Sequence, residues 1–88
     1  MDNKKLIAIT GASSGIGAAT AKAFSAAGYP LLLMARRIEL MEAMNLPNAI
    51  CKEVDVLDLE GMKGAISEAE EVHGKVDCMI NNAGVMIN

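Results

Sequence analysis

Aromatic residues are almost missing from this 88-residue chain, which has Phe24, Tyr29 and no tryptophan. Proteins that hold single-stranded nucleic acid stack its bases on aromatic platforms, and this chain has none to spare. Basic charge is also scarce, with eight Lys or Arg against eleven Asp or Glu for a net −3, and no basic block stands out beyond Arg36-Arg37. That balance argues against a protein that tracks phosphate backbones, so no nucleic acid is expected as a partner. Histidine occurs once, at His73, and the two cysteines, Cys51 and Cys78, lie far apart without a Cys-x-x-Cys pair. No metal site is therefore expected. The thiols read as free, buried and at home in a reducing cytoplasm. No apolar run approaches the ~20 residues of a membrane helix, and Met1 to Lys5 followed by a five-residue strand pattern lacks the form of a signal peptide. No membrane partner is expected either.

What remains is 52% hydrophobic, built from Ala, Ile, Leu, Val and Met. That is enough for one small domain, though a chain of this length buries only about 60–65% of its unfolded surface. Leu6-Ile7-Ala8-Ile9 reads as a strand buried on both faces, stopping at Thr10-Gly11. The period then changes. Ile16, Ala19, Thr20, Ala23, Phe24 and Ala27 fall at helical spacing, predicting a helix from Gly15 whose small residues approach a sheet, with Gly28 as its stop. Leu31 to Met34 is a second apolar run. A short helix over 38–44 should end before Asn45-Leu46-Pro47, because proline cannot continue it. Ala49 to Val54 reads as a third strand. Asp58 should cap a helix whose Leu59, Met62, Ala65, Ile66, Ala69 and Val72 share one face, with Gly74 as its stop. Val76 to Asn81 reads as a fourth strand. Strands apolar on both faces, alternating with helices, predict an α/β fold with a parallel sheet and right-handed crossovers.

Thr10-Gly11-Ala12-Ser13-Ser14-Gly15-Ile16-Gly17 lies between the first strand and the first helix. A phosphate-binding turn at that place needs glycine for three separate reasons. Gly11 lets the chain leave the strand sharply, Gly15 bares the backbone to a pyrophosphate, and Gly17 lets the helix pack closely on the sheet. The N–H groups at the helix start can then receive the anion, with Ser13 and Ser14 hydroxyls adding hydrogen bonds. Other readings compete. Glycines also serve a bare structural turn. Gly11-Ala12-Ser13-Ser14-Gly15 fits the Gly-x-Ser-x-Gly elbow of hydrolases, which needs an acid and then a histidine downstream, and only His73 is available. A Walker loop fails, because no Lys-Ser or Lys-Thr follows the glycines.

The spacing Gly-x-x-x-Gly-x-Gly, with Thr10 ahead of it, resembles the short-chain dehydrogenase/reductase family. Three further segments fit that family in the same order: Ala35-Arg36-Arg37 closing the second strand, Asp55-Val56 closing the third, and Asn81-Asn82-Ala83-Gly84 closing the fourth. The resemblance runs from Leu6 to Asn88. It implies a Rossmann-type doubly wound sheet of order 3-2-1-4, truncated after the fourth strand, with residues 1–88 forming the N-terminal part of a single NAD(P)-binding domain. It further implies that Gly11, Ser13, Ser14, Gly15, Ile16 and Gly17 meet the cofactor's phosphates and that Asp55 and Val56 meet its adenine. Asn82, Ala83 and Gly84 would meet its ribose side, while Asn81 mainly holds the sheet. Each position also has an ordinary reading: Asp55 as a strand-end residue, the asparagines as turn formers.

In the NAD-using pattern a carboxylate at the end of the second strand accepts hydrogen bonds from the adenine ribose. Ala35 stands there, and Arg36 follows. Alanine removes a repulsion toward a 2′-phosphate, and a guanidinium can pair with one in a bidentate, charge-assisted way. NADP is therefore expected in preference to NAD, with Arg36 the principal contact and Arg37 a support. The alternative is that the pair simply solvates a loop, or that Arg37 pairs with Glu39 or Glu42. Many NADP-preferring members carry a base just before the middle glycine; here it is Ser14, which leaves phosphate recognition to one loop.

The family's chemistry uses a tyrosine with a lysine four residues later, and the single tyrosine, Tyr29, is followed at that distance by Leu33. No catalytic residue is therefore expected in this chain. The parent is expected to be a homo-oligomeric oxidoreductase moving hydride between NADP(H) and a small alcohol or ketone. A non-catalytic dinucleotide-binding module and a ligand-free fold fragment share every residue present and remain alternatives. Without a fifth strand, Cys78-Met79-Ile80 becomes an apolar edge, so an isolated chain of this length is expected to be marginally stable and prone to associate.

Overall fold

The computed structural model describes residues 4–13 and 15–82. Seven elements alternate along them: β1 (Leu6–Thr10), α1 (Gly15–Ala26), β2 (Leu31–Ala35), α2 (Ile38–Ala43), β3 (Ala49–Glu53), α3 (Leu59–His73) and β4 (Val76–Asn81). The strands form one parallel sheet in the order β3-β2-β1-β4. The α/β class and the parallel pairing are those expected from the pattern, and the strand order is the one the family resemblance implied. The physical reason is that apolar runs too short for helices were separated by helical segments long enough to cross over.

β1 and β2 are central and buried along their whole length. Their alternating side chains divide the core in two. Ile7, Ile9, Leu31, Leu33 and Ala35 pack with Ala21, Met41 and Phe24 beneath α1 and α2. Leu6, Ala8, Leu32 and Met34 pack with Val54, Ala65 and Ala69 beneath α3. A register shift between Leu6 and Ile7 lets Val76 join the α3 side while Ile80 joins the other.

Several expectations are corrected. The face of α1 turned to the sheet carries Gly17, Ala21 and half-buried Phe24, whereas Ile16 is 76% exposed and Ala19, Ala23 and Ala27 are exposed too. The helix is alanine-rich on most sides, so apolar spacing could not choose among faces. Close approach did, because only Gly17 lets the helix reach Gly11. On α3 the centre of the expected stripe is right, but Leu59 and Val72, at its two ends, reach beyond the sheet and are exposed. β3 and β4 lie at the sheet's edges and are not apolar on both faces: Glu53 is exposed, and most of β4 is open. For the same reason the thiols are not buried. Cys51 is half-buried and Cys78 exposed.

Helix ends follow local chemistry. α1 closes with the N–H of Tyr29 on the carbonyl of Phe24 and that of Gly28 on Ser25, the paired bonds of a Schellman stop. The rings of Phe24 and Tyr29 meet edge to face at 5.4 Å across that stop. α2 ends one turn before Pro47, because Asn45, at φ 52°, already turns the chain left-handed. Asp58 caps α3 as expected, accepting the Gly61 N–H at 3.0 Å.

Candidate functional site

Because every strand is parallel, every strand ends at the same rim of the sheet. The registers Thr10↔Met34, Thr10↔Asn81 and Ala35↔Glu53 bring four strand ends together. The segments that leave them therefore share one rim: Gly11 to Ser13 with the start of α1, Arg36-Arg37, Val54 to Val56, and Asn82. In open parallel sheets this edge, at the point where strand order reverses between β1 and β4, is where ligands settle.

The loop after β1 begins with Gly11 at φ 64°. Ala12 is then fully buried, and its N–H reaches back to the Met34 carbonyl at 3.4 Å, anchoring the loop to β2. Gly15 has φ 48°, and a Cβ built on it would find nothing within 4 Å. At Gly17 the opposite holds. A Cβ there would overlap the Gly11 carbonyl oxygen and sit 2.8 Å from its carbon. Gly15 is thus bare toward open space, and Gly17 is bare because the backbone of β1's exit lies against it. The first N–H groups of α1 have no partner within the helix. No described side chain plugs the space over Gly15. Ile16 projects beside it into solvent, and Ser13 is half-buried. Ser14 lies outside the described residues, as do Ala83 and Gly84.

At the end of β2, Ala35 is buried, with its carbonyl accepting the Val54 N–H at 3.0 Å, and so carries no carboxylate toward the rim. Arg36 is exposed and makes no ion pair among the described residues. Arg37 differs. Its Nε donates to Glu39 Oε2 at 3.1 Å, with both side chains 65% exposed. The pairing weighed for Arg37 from sequence is therefore present, with Glu39 rather than Glu42. A backbone hydrogen bond and the Arg37 guanidinium hold the Glu39 carboxyl below its ordinary range.

Asp55 follows β3 after Val54 and is exposed, and its Oδ1 accepts the Leu57 N–H at 2.9 Å in a turn of the Asx kind. Val56 beside it is half-buried. Asn81, the last residue of β4, accepts a hydrogen bond from the Thr10 hydroxyl at 2.6 Å. That bond ties β4 to β1 beneath the glycine loop, and Thr10 is a positioning residue whose hydroxyl sequence reasoning passed over. Its place just before Gly11 was the available signal. Asn82 Nδ2 is buried and finds no partner among the described residues. A buried donor left unpaired at a rim lined with open backbone is what a polar ligand would satisfy. Among the described residues no group of three or more His, Cys, Asp or Glu could hold a metal ion, and no helix is long and apolar enough to cross a membrane.

The short chain dehydrogenase family model matches residues 5–88. The chain belongs to that family. An uncharacterized oxidoreductase of Listeria monocytogenes is 44% identical over 90 residues, covering 96% of this chain and 36% of that protein. The crystal structure of a short-chain dehydrogenase from Streptomyces avermitilis superposes with a TM-score of 0.81 at 37% identity, over 92% of this chain and 31% of the other. L-Sorbose reductase from Gluconobacter frateurii, solved with NADPH and L-sorbose, superposes at 0.78 with 32% identity, over 98% and 35%. The short-chain dehydrogenase sequence described here thus spans about a third of the length of the relatives it matches.

Proposed function

We propose that residues 1–88 are the N-terminal part of a single NADP-binding domain in an oxidoreductase that moves hydride between NADP(H) and an alcohol or ketone. The observation that carries the cofactor choice is the end of β2. Buried Ala35 leaves no carboxylate to repel a 2′-phosphate, and Arg36 stands exposed with no ion pair among the described residues. The diphosphate fits the other end of the crevice, where Gly15 presents bare backbone beside the start of α1. Gly11 turns the chain into that loop, Gly17 sets the helix close behind it, and Ser13 and Ser14 supply hydroxyls. Asp55 and Val56 flank the adenine. Asn82, whose Nδ2 has no partner among the described residues, and the following Ala83 and Gly84 serve the ribose side.

When bound, the cofactor supplies or accepts the hydride. This chain's residues bind and orient it, and the proton-handling groups for the substrate come from elsewhere in the parent protein. Calorimetric titration of the intact protein with NADP and with NAD tests the reading. Arg36→Ala is expected to weaken NADP by about tenfold or more, the loss of a charge-assisted hydrogen bond, with NAD little changed. Equal losses for both cofactors would remove Arg36 from the role.

A further inference from the structure

The two arginines at the end of β2 are adjacent in sequence but not equivalent. Arg36 makes no ion pair among the described residues, whereas Arg37 is held by Glu39 through its Nε at 3.1 Å. We propose that Glu39 is a specificity-determining residue that restrains affinity for a 2′-phosphorylated dinucleotide by occupying Arg37, leaving Arg36 as the working cation. This inference rests on the NADP reading above. It deepens that reading by assigning a residue that opposes the phosphate rather than one that attracts it.

Two effects act in the same direction. A phosphate monoester carries close to two negative charges near neutral pH, so a carboxylate two residues beyond Arg37 repels it. To recruit Arg37, the phosphate must also displace the Glu39 hydrogen bond, so part of any new contact replaces an old one. An NAD ribose has only hydroxyls in that place and feels neither effect strongly. The restraint is therefore selective. It is also modest, because both side chains are largely exposed and water and salt weaken their pairing.

Glu42, one turn further along α2, supplies the control. Its charge is felt by Cys51 on β3, where it adds to burial in pushing the thiol up, so it works on the flank of the sheet. If the restraint were only the general negative field of α2, either carboxylate would produce it. If it depends on the Arg37 contact, only Glu39 will.

Dissociation constants for NADP and NAD would be measured calorimetrically at fixed ionic strength on the intact protein and on Glu39→Gln, Glu42→Gln, Arg37→Ala and Glu39→Gln/Arg37→Ala. Glu39→Gln should tighten NADP about two- to fivefold and leave NAD unchanged. Arg37→Ala alone should change NADP less than about twofold, and the double variant should lose most of the gain, keeping only the part due to direct repulsion. An unchanged NADP-to-NAD ratio in Glu39→Gln overturns the proposal, as does an equal gain in Glu42→Gln or a gain that survives in full in the double variant. Arg36→Ala separates the two levels of the argument. If it still abolishes NADP preference while Glu39→Gln has no effect, only the role of Glu39 falls. If the unaltered protein binds NAD as tightly as NADP, both fall.

Discussion

Gly15 and Gly17 stand two positions apart and are glycine for unrelated reasons. At Gly17 a methyl group would enter the Gly11 carbonyl, so the helix would have to back away from β1. At Gly15 a methyl group meets no described atom beyond its chain neighbours within 4 Å, and its cost is the left-handed φ of 48°. Gly17→Ala is therefore expected to cost about 1–3 kcal/mol or more, read as a fall in denaturant midpoint. Gly15→Ala should cost about 1–2 kcal/mol of stability. It should also weaken dinucleotide binding about tenfold in calorimetry if the diphosphate lies where proposed, because its methyl then takes up that space. A stability loss without any binding loss would mark Gly15 as a turn former only. The spacing of these glycines was legible in the sequence. So was the expectation that Gly15 is bare toward open space while Gly17 lets the helix pack closely; that the close contact at Gly17 falls on the Gly11 carbonyl was not. At the same scale, the sequence ranked Arg36 ahead of Arg37 and offered Glu39 or Glu42 as a partner for Arg37, and the structure gives Glu39.

Among the elements, α3 best exhibits local coding. Asp58 accepts the Gly61 N–H at 3.0 Å, and a Cβ at Gly61 would lie 2.5 Å from the capping carboxylate. The cap and the glycine therefore form one unit. Asp58→Ala is expected to remove about 1 kcal/mol, measurable as a lower thermal midpoint, with Asp58→Asn recovering most of it. The far end is held as locally: the Gly74 N–H returns to the Glu70 carbonyl at 2.8 Å, and Glu70 Oε2 accepts the Val76 N–H at 2.8 Å, aiming the chain into β4. Such signals lie within a few residues of one another and could be read directly. The buried face of α1 could not. Its alanines offered several equivalent stripes, and the choice fell to Gly17, Ala21 and Phe24 through contact with β1 and β2.

For the molecule as a whole, the order β3-β2-β1-β4 buries two strands completely and leaves two at the edges. β4 pairs with β1 alone among the described strands. It presents exposed Cys78 and 42%-exposed Met79, an apolar edge able to pair with another chain. A polypeptide of residues 1–88 is therefore expected to associate with rising concentration in sedimentation velocity, and Met79→Lys should shift it toward monomer. A monomer at all concentrations without that substitution would show that the edge is not adhesive. The same parallel order gathers the loops after all four strands at one rim, which is why glycines, arginines and asparagines distant in sequence can address one ligand.

The linear order of residues was sufficient for the strands and helices, their stops and caps, the strand order through the family resemblance, and the chemical types at each strand end. Those features depend on periodicity and on bonds between near neighbours. Tertiary structure alone decided which side of α1 meets the sheet, that Cys78 faces solvent, that Thr10 ties to Asn81, and that Arg37 pairs with Glu39 while Arg36 makes no ion pair among the described residues. Each of these depends on distances between groups whose spacing along the chain carries no record of how closely they meet once the layers close.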